Sequence, residues 1–231
     1  MPTLNKIRTA IAGGRHGDRQ AAPHDLALRR LRTHLTLFFA LDGFLFAGWV
    51  VRIPAIKERT GASTGALGFA LLGVSAGAVA TMMVTGRLCR RFGSHPVTVA
   101  AAVLMSLGIA LPALTRSALA LGLVLLVFGA AYGGINVAMN SAAVDLVAAL
   151  RRPVMPSFHA AFSVGGMLGA GLGGLVAGRL SAPHHLLLLT CAGLAVSALA
   201  GRGLLARPAP RPAPRPAKAT RAATAGAASA R

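Results

Sequence analysis

Four polar side chains interrupt stretches that are otherwise apolar, and each has the chemistry to bind a substrate or carry a proton. Asp42 lies about 10 Å into the first stretch. Asn136 and Asn140 lie one helical turn apart in the fourth, and His159 lies near the start of the fifth. A carboxyl group in hydrocarbon must be neutral, paired or facing water. We predict substrate-binding or proton-coupling roles for these four residues; the alternative for each is a hydrogen bond to a neighbouring helix.

The fourth stretch places small and polar residues on one helical face. Gly129, Gly133, Asn136 and Asn140 follow one another at intervals of three or four residues, which puts them on the same side of a helix. Two amides on one side favour a wet or ligand-facing surface. We therefore expect this face, together with Asp42, to line a central cavity.

Six membrane-spanning helices must position these residues. Of the 231 residues, 55% are hydrophobic and five are acidic, which is too apolar for an ordinary soluble domain. Six stretches are long enough to cross a hydrocarbon core of about 30 Å, and the short connections between them predict an all-α bundle in the lipid bilayer. The predicted spans are 35–51, 66–85, 97–115, 118–144, 156–178 and 184–205.

The basic residues predict how the chain is oriented. The formal net charge is +19, and 19 of the 24 Lys and Arg residues lie in the N-terminal tail, in connections 86–96 and 145–155, or from Arg202 onward. By the positive-inside rule we expect both termini in the cytoplasm and the spans in the cell (inner or plasma) membrane. Three regions are predicted: a basic cytoplasmic tail at 1–34, a six-helix transmembrane domain at 35–205, and a disordered cytoplasmic tail rich in Arg, Pro and Ala at 206–231.

Other classes of chemistry find no support in the residue spacing. The Ser, His and Asp residues lie at different depths, and Cys89 and Cys191 match no metal-binding pattern. No aromatic residue follows Phe162, so platforms for stacking nucleic-acid bases are missing from the basic C-terminal tail. We predict a protein that is not an enzyme, has no metal, disulfide or cofactor, and binds no nucleic acid.

Small residues in the fifth span predict close helix packing. Gly165, Gly169 and Gly173 recur every four residues and form a groove along one side of the helix. Spans one to three and four to six also repeat a coarse pattern, because the first member of each set carries polar residues and the second carries small ones. Such a pattern is typical of transporters built from three-helix repeats.

The segment GRLCRRFGSHPV, residues 86–97, resembles the cytoplasmic signature of the major facilitator superfamily. Gly86, Leu88, Arg91 and Gly93 match that signature, whereas Arg90 stands where the family has an acidic residue that helps latch the cytoplasmic gate. Three further segments are similar to the fucose-permease-like branch of the superfamily: GFLFAGWVVRIPAIKERTG (43–61), NVAMNSAAV (136–144) and RPVMPSFHAAFSVGGMLGA (152–170).

The resemblance implies the N-terminal six-helix half of a twelve-helix fold. It implies a secondary active transporter that moves a small molecule, a sugar with proton coupling in this branch, by alternating access. Asp42 would fill the proton-coupling position of the first helix, whereas the fourth helix offers only Asn136 and Asn140.

Since the superfamily binds substrate between two halves, a second half is expected, either a parallel homodimer of this chain or a separate partner. The alternative is a truncated, non-transporting membrane or scaffold protein. At the gate we expect Arg90 and Asp145 to form a charge-reversed latch; otherwise both charges are solvated.

Overall fold

The computed structural model describes the backbone of residues 3–206 and the side chains of residues 25–206. Within that part the chain forms seven α-helices and one 3₁₀ turn. They are α1 Thr3–Val50, α2 Ile53–Thr60, α3 Thr64–Phe92, α4 Ser94–Gly108, the 3₁₀ turn Leu111–Leu114, α5 Ala118–Leu150, α6 Met155–Ala177 and α7 Ala182–Leu205. The predicted disordered tail lies, apart from Ala206, outside the described residues, and so do most side chains of the predicted N-terminal tail.

Six helical segments are long and apolar enough to cross a membrane, which confirms the predicted all-α, six-span fold. They are Asp25–Val50, Thr64–Phe92, Ser94–Leu114, Ala118–Leu150, Met155–Ala177 and Ala182–Leu205. The first span begins earlier than predicted, because α1 is continuous there and Leu28 and Leu31 are already buried in the core.

Local chemistry sets where several helices begin. The Ser63 hydroxyl accepts a hydrogen bond from the Ala66 amide at 3.2 Å, and the Ser117 hydroxyl accepts one from Ala120 at 3.2 Å. These are N-caps of α3 and α5. Pro54 lies in the first turn of the short helix α2, a position that proline favours.

The membrane helices form two layers. In the front layer α3, α5, α1 and α6 lie side by side in that order; in the back layer α4 packs on α5, α7 packs on α1, and α4 and α7 pack on each other. We call the surface of the front layer that is turned away from α4 and α7 the front face. Helices α1, α3 and α4 form the first repeat and α5, α6 and α7 the second. Each repeat packs its second and third helices against the first helix of the other, so the two are interlocked.

The predicted connection at 86–96 is almost entirely helical. Helix α3 continues to Phe92, which places Cys89 in its last turn rather than in a loop, and α4 begins at Ser94. The turn between them is the single residue Gly93, with φ 90° and ψ 153°. Only glycine adopts that backbone conformation at low cost, because a Cβ atom would clash there.

We expect Gly93→Ala to lower the free energy of unfolding by about 1–3 kcal/mol, the usual cost of forcing a side chain into this conformation. Gly86→Ala is the matched control. Gly86 lies within helix α3, where a Cβ atom would meet only the Arg90 side chain at 3.8 Å. Thermal unfolding of both variants in detergent checks the prediction, and equal melting temperatures would contradict it.

Candidate functional site

A glycine seam joins α6 to α1 at one edge of the front layer. A Cβ atom added to Gly165 would collide with the carbonyl oxygen of Ala40, and one added to Gly169 would collide with that of Phe44. A Cβ atom on Gly173 would lie 3.2 Å from the His185 ring. The three glycines predicted to pack are thus buried against neighbouring helices.

A second seam joins α3 to α5 at the other edge. A Cβ atom on Gly77 would collide with the Leu126 carbonyl oxygen, and one on Gly129 would collide with that of Val74. At Gly133 an added Cβ atom would lie 2.6 Å from the backbone of Ala78. The expectation that Gly129 and Gly133 line a ligand-facing surface is therefore wrong: they let two helices approach closely.

The two asparagines of α5 are partly exposed and bonded to each other. The Asn140 side-chain amide donates to the Asn136 backbone oxygen at 2.8 Å and to its side-chain oxygen at 3.3 Å. Because one amide is engaged in holding the other, the pair forms a fixed polar patch on α5.

Asp42 lies inside the front layer and does not line an open cavity, contrary to expectation. Its side chain is 0% exposed, and neither carboxyl oxygen has a hydrogen-bond partner among the described residues. It interacts electrostatically with Tyr132 of α5. The Tyr132 ring stacks on Phe46 with centroids 4.7 Å apart, and Trp49 lies 5.3 Å from Phe128. Water or substrate reaches Asp42 only if these helices move.

His159 lies exposed on α6, apart from the buried Asp42. Its ring meets Phe39 of α1 edge-on with centroids 5.8 Å apart, and Phe39 stacks on Phe158 at 5.1 Å. The four predicted site residues thus occupy three kinds of position: buried on α1, partly exposed on α5 and exposed on α6.

The gating residues lie at the α3–α4 turn and the end of α5. Arg90 is exposed, and the guanidinium of Arg91 lies 5.2 Å from the centre of the Phe92 ring. Asp145 is partly buried and interacts electrostatically with His95. No ion pair joins Arg90 to Asp145 in the part of the chain that the structure describes, and the latch remains a prediction.

Sequence reasoning missed a buried cluster around Arg52 at the opposite membrane surface. Arg52 is 3% exposed; its Nε donates to Nδ1 of His185 at 2.8 Å. Its two terminal nitrogens donate to the carbonyl oxygens of Ala177 at 3.2 Å and Val176 at 3.4 Å. Burial lowers the pKa of Arg52, but a guanidinium stays protonated at physiological pH. The negative end of the α6 dipole therefore stabilises this cation. The hydrogen bonds of Arg52 connect the end of α1 to α6 and α7.

We expect Arg52→Ala to lower the free energy of unfolding by about 3 kcal/mol, because three hydrogen bonds from a buried charged donor are lost and their acceptors stay buried. Arg59→Ala removes the same charge from an exposed position on α2 and is expected to change stability by less than about 0.5 kcal/mol. Thermal unfolding of the two variants side by side measures the difference. Indistinguishable melting curves would show that the cluster contributes nothing to stability.

Comparison with known proteins agrees with this architecture. The sequence profile of the Major Facilitator Superfamily matches residues 35–230. An uncharacterized MFS-type transporter of Yersinia pestis is 38% identical over 143 residues, which cover 62% of this chain and 37% of that protein. An uncharacterized transporter of Sinorhizobium fredii is 34% identical over 167 residues, covering 72% and 44% respectively. The membrane protein MosC of Rhizobium meliloti is 28% identical over 137 residues, covering 59% and 34%.

The six interlocked spans and their glycine seams are those of a multi-pass integral membrane protein. They make up half of a twelve-helix fold. The chain belongs to the Major Facilitator Superfamily. It spans less than half the length of the curated relatives that it matches.

Proposed function

We propose that this chain is one six-helix half of a secondary active transporter, and that a small molecule crosses the membrane along its front face by alternating access. The observation that carries the proposal is the low burial of the helices at the two edges of that face. Helices α3 and α6 form the two edges of the front layer and are the least buried of the six spans. In a superfamily that binds substrate between two halves, such a face fits against a second half.

The proposed substrate is a sugar and the proposed coupling ion is a proton, both on the resemblance to the fucose-permease-like branch. Asn136 and His159 are accessible enough to bind hydroxyl groups. Asp42 is the proposed proton-carrying group, because a buried carboxyl with no hydrogen-bond partner in the described part of the chain exchanges its proton only when the front layer rearranges. The activity proposed is translocation without chemical conversion.

The second half is proposed to be another copy of this chain in parallel orientation, or a separate six-helix partner. The two halves of the superfamily are related by an axis along the membrane normal, so two copies inserted in the same direction can enclose a cavity between their front faces. Both termini are proposed to lie on the cytoplasmic side of the cell (inner or plasma) membrane, on the distribution of basic residues.

Native mass spectrometry of the chain in lipid nanodiscs, followed by uptake of labelled monosaccharides into proteoliposomes under an imposed pH gradient, tests the proposal. We expect a discrete dimer, and uptake that is lost when an ionophore collapses the gradient. Protein-free liposomes are the control. A clean monomer that takes up none of the sugars would contradict the homodimer and leave either a separate partner half or the alternative, a non-transporting membrane or scaffold protein.

A further inference from the structure

An apolar groove lies on the side of α5 that is turned away from α1. Phe128 and Tyr132 of α5 pack against α1, whereas Val127 and Ala130 form the floor of the groove. Helices α3 and α4 form its walls, and its volume is 520 Å³. The groove and the front face lie on different sides of α5, so the groove opens toward the lipid of the bilayer.

The groove presents hydrocarbon even where its residues are polar. Thr81 donates its hydroxyl hydrogen to the Gly77 carbonyl oxygen at 3.0 Å, and Thr85 donates to that of Thr81 at 2.9 Å. Their hydroxyl groups are satisfied within α3, which leaves the methyl groups for the groove. The other wall residues include Leu88, Phe92, Val97 and Leu104. The groove can therefore hold an alkyl chain and offers a polar ligand no hydrogen bond from these threonines.

The length of the groove matches one leaflet of a bilayer. Along α3 it extends from Thr81, near the middle of the span, to Phe92 at the α3–α4 turn. Eleven residues of helix rise about 16 Å, which is about half of a hydrocarbon core of about 30 Å. An acyl chain entering from the membrane surface would fill it to the midplane.

Positive charge lies at the surface end of the groove. The guanidinium of Arg91 is positioned over the ring of Phe92, a groove residue, and Arg87 lies one helical turn earlier on the same side of α3. Helices α3 and α4 contain no acidic residue. Asp145 of α5 also lies near this end and interacts electrostatically with Cys89 and His95, but the three exposed arginines Arg87, Arg90 and Arg91 outnumber it. The mouth of the groove therefore favours an anion at headgroup depth.

We propose that this groove binds one acyl chain of an anionic phospholipid, whose phosphate group is held by Arg87 and Arg91. The site is on the side of α5 away from the front face, and it is independent of whether the protein transports a substrate. Its ligand is a lipid of the surrounding bilayer.

Native mass spectrometry of the detergent-purified chain, titrated with phosphatidylglycerol and with phosphatidylcholine of the same acyl chains, tests the proposal. We expect one phosphatidylglycerol to bind per chain, at least about tenfold more tightly than phosphatidylcholine. The double variant Arg87→Gln/Arg91→Gln should bind phosphatidylglycerol about thirtyfold more weakly. Arg152→Gln, which removes an exposed charge from the α5–α6 connection, should bind it like the wild type.

Ala100→Phe tests the groove itself without changing charge. Ala100 is an exposed wall residue of α4, so a phenyl ring there occupies the groove without disturbing the core. We expect phosphatidylglycerol binding to fall at least about tenfold, with a lipid-free melting temperature close to that of the wild type. Equal affinity for the two lipids, or binding unchanged in either the double variant or Ala100→Phe, would overturn the proposal.

Discussion

The double variant Gly165→Ala/Gly169→Ala should lower the melting temperature of the bundle by about 10 °C or more. Each added methyl group would overlap a backbone carbonyl oxygen of α1, at Ala40 and at Phe44, and a backbone cannot rotate aside as a side chain can. Overpacking of this kind costs about 1–3 kcal/mol per site, and one kcal/mol shifts the melting temperature of a protein of this size by about 2–4 °C. Fluorescence of Trp49, the single tryptophan, buried against Phe128, reports the transition.

The matched control for this variant lies on the same helix. Gly171 and Gly174 of α6 have nothing within 4 Å of an added Cβ atom. Gly171→Ala/Gly174→Ala should melt at the wild-type temperature or slightly above it, because alanine is the better helix former. A similar loss of stability in both double variants would mean that glycine matters for flexibility of α6 and not for its contact with α1.

Asp42→Asn should abolish proton-driven uptake and leave the bundle folded. The carboxyl group is fully buried, and its oxygens have no hydrogen-bond partner among the described residues, so an amide of the same shape breaks no hydrogen bond there. It removes the one group on α1, between Asp25 and Val50, that could carry a proton at this depth. Uptake of the sugar that gives a signal with the wild type, measured under an imposed pH gradient, is the readout, with the melting temperature measured in parallel.

Glu58→Gln is the control for the charge change, because Glu58 is exposed on α2 outside the spans. It should transport like the wild type. Substrate exchange without a pH gradient distinguishes proton coupling from substrate binding by Asp42. A proton carrier is needed for accumulation, whereas exchange can continue without it. If Asp42→Asn accumulates substrate as well as the wild type does, Asp42 is not the coupling group.

The sequence is sufficient to predict the six spans, because length and continuous hydrophobicity are properties of each segment alone. Where a span ends depends on its neighbours. The sequence pattern places a loop at 86–96, yet α3 stays helical to Phe92, since a one-residue turn at Gly93 is enough to reverse the chain. Proline is common both in turns and in the first turn of a helix, and only the structure shows that Pro54 lies at the start of α2.

The roles of single residues were harder to predict than the spans. Gly129 and Gly133 share a helical face with Asn136, but α3 covers the glycines and leaves the asparagine partly exposed, which helical periodicity cannot distinguish. Asp42 was expected beside a cavity, although periodicity does not say which neighbour covers that side of α1. The buried position of Arg52 could not be predicted, because its partners His185, Val176 and Ala177 come more than a hundred residues later.

The packing of each repeat against the first helix of the other has a consequence for biosynthesis. When α3 leaves the ribosome and enters the membrane, the partner of its glycine seam, α5, has not yet been made. Helix α1 lacks its partner α6 for longer still, because α6 is synthesised after α5. The three helices of the first repeat, α1, α3 and α4, therefore enter the lipid before the helices that cover their seams. A nascent chain arrested after α4 should remain loosely assembled and accessible to proteases. Quality control of this protein is thus expected to act while the second repeat is being synthesised.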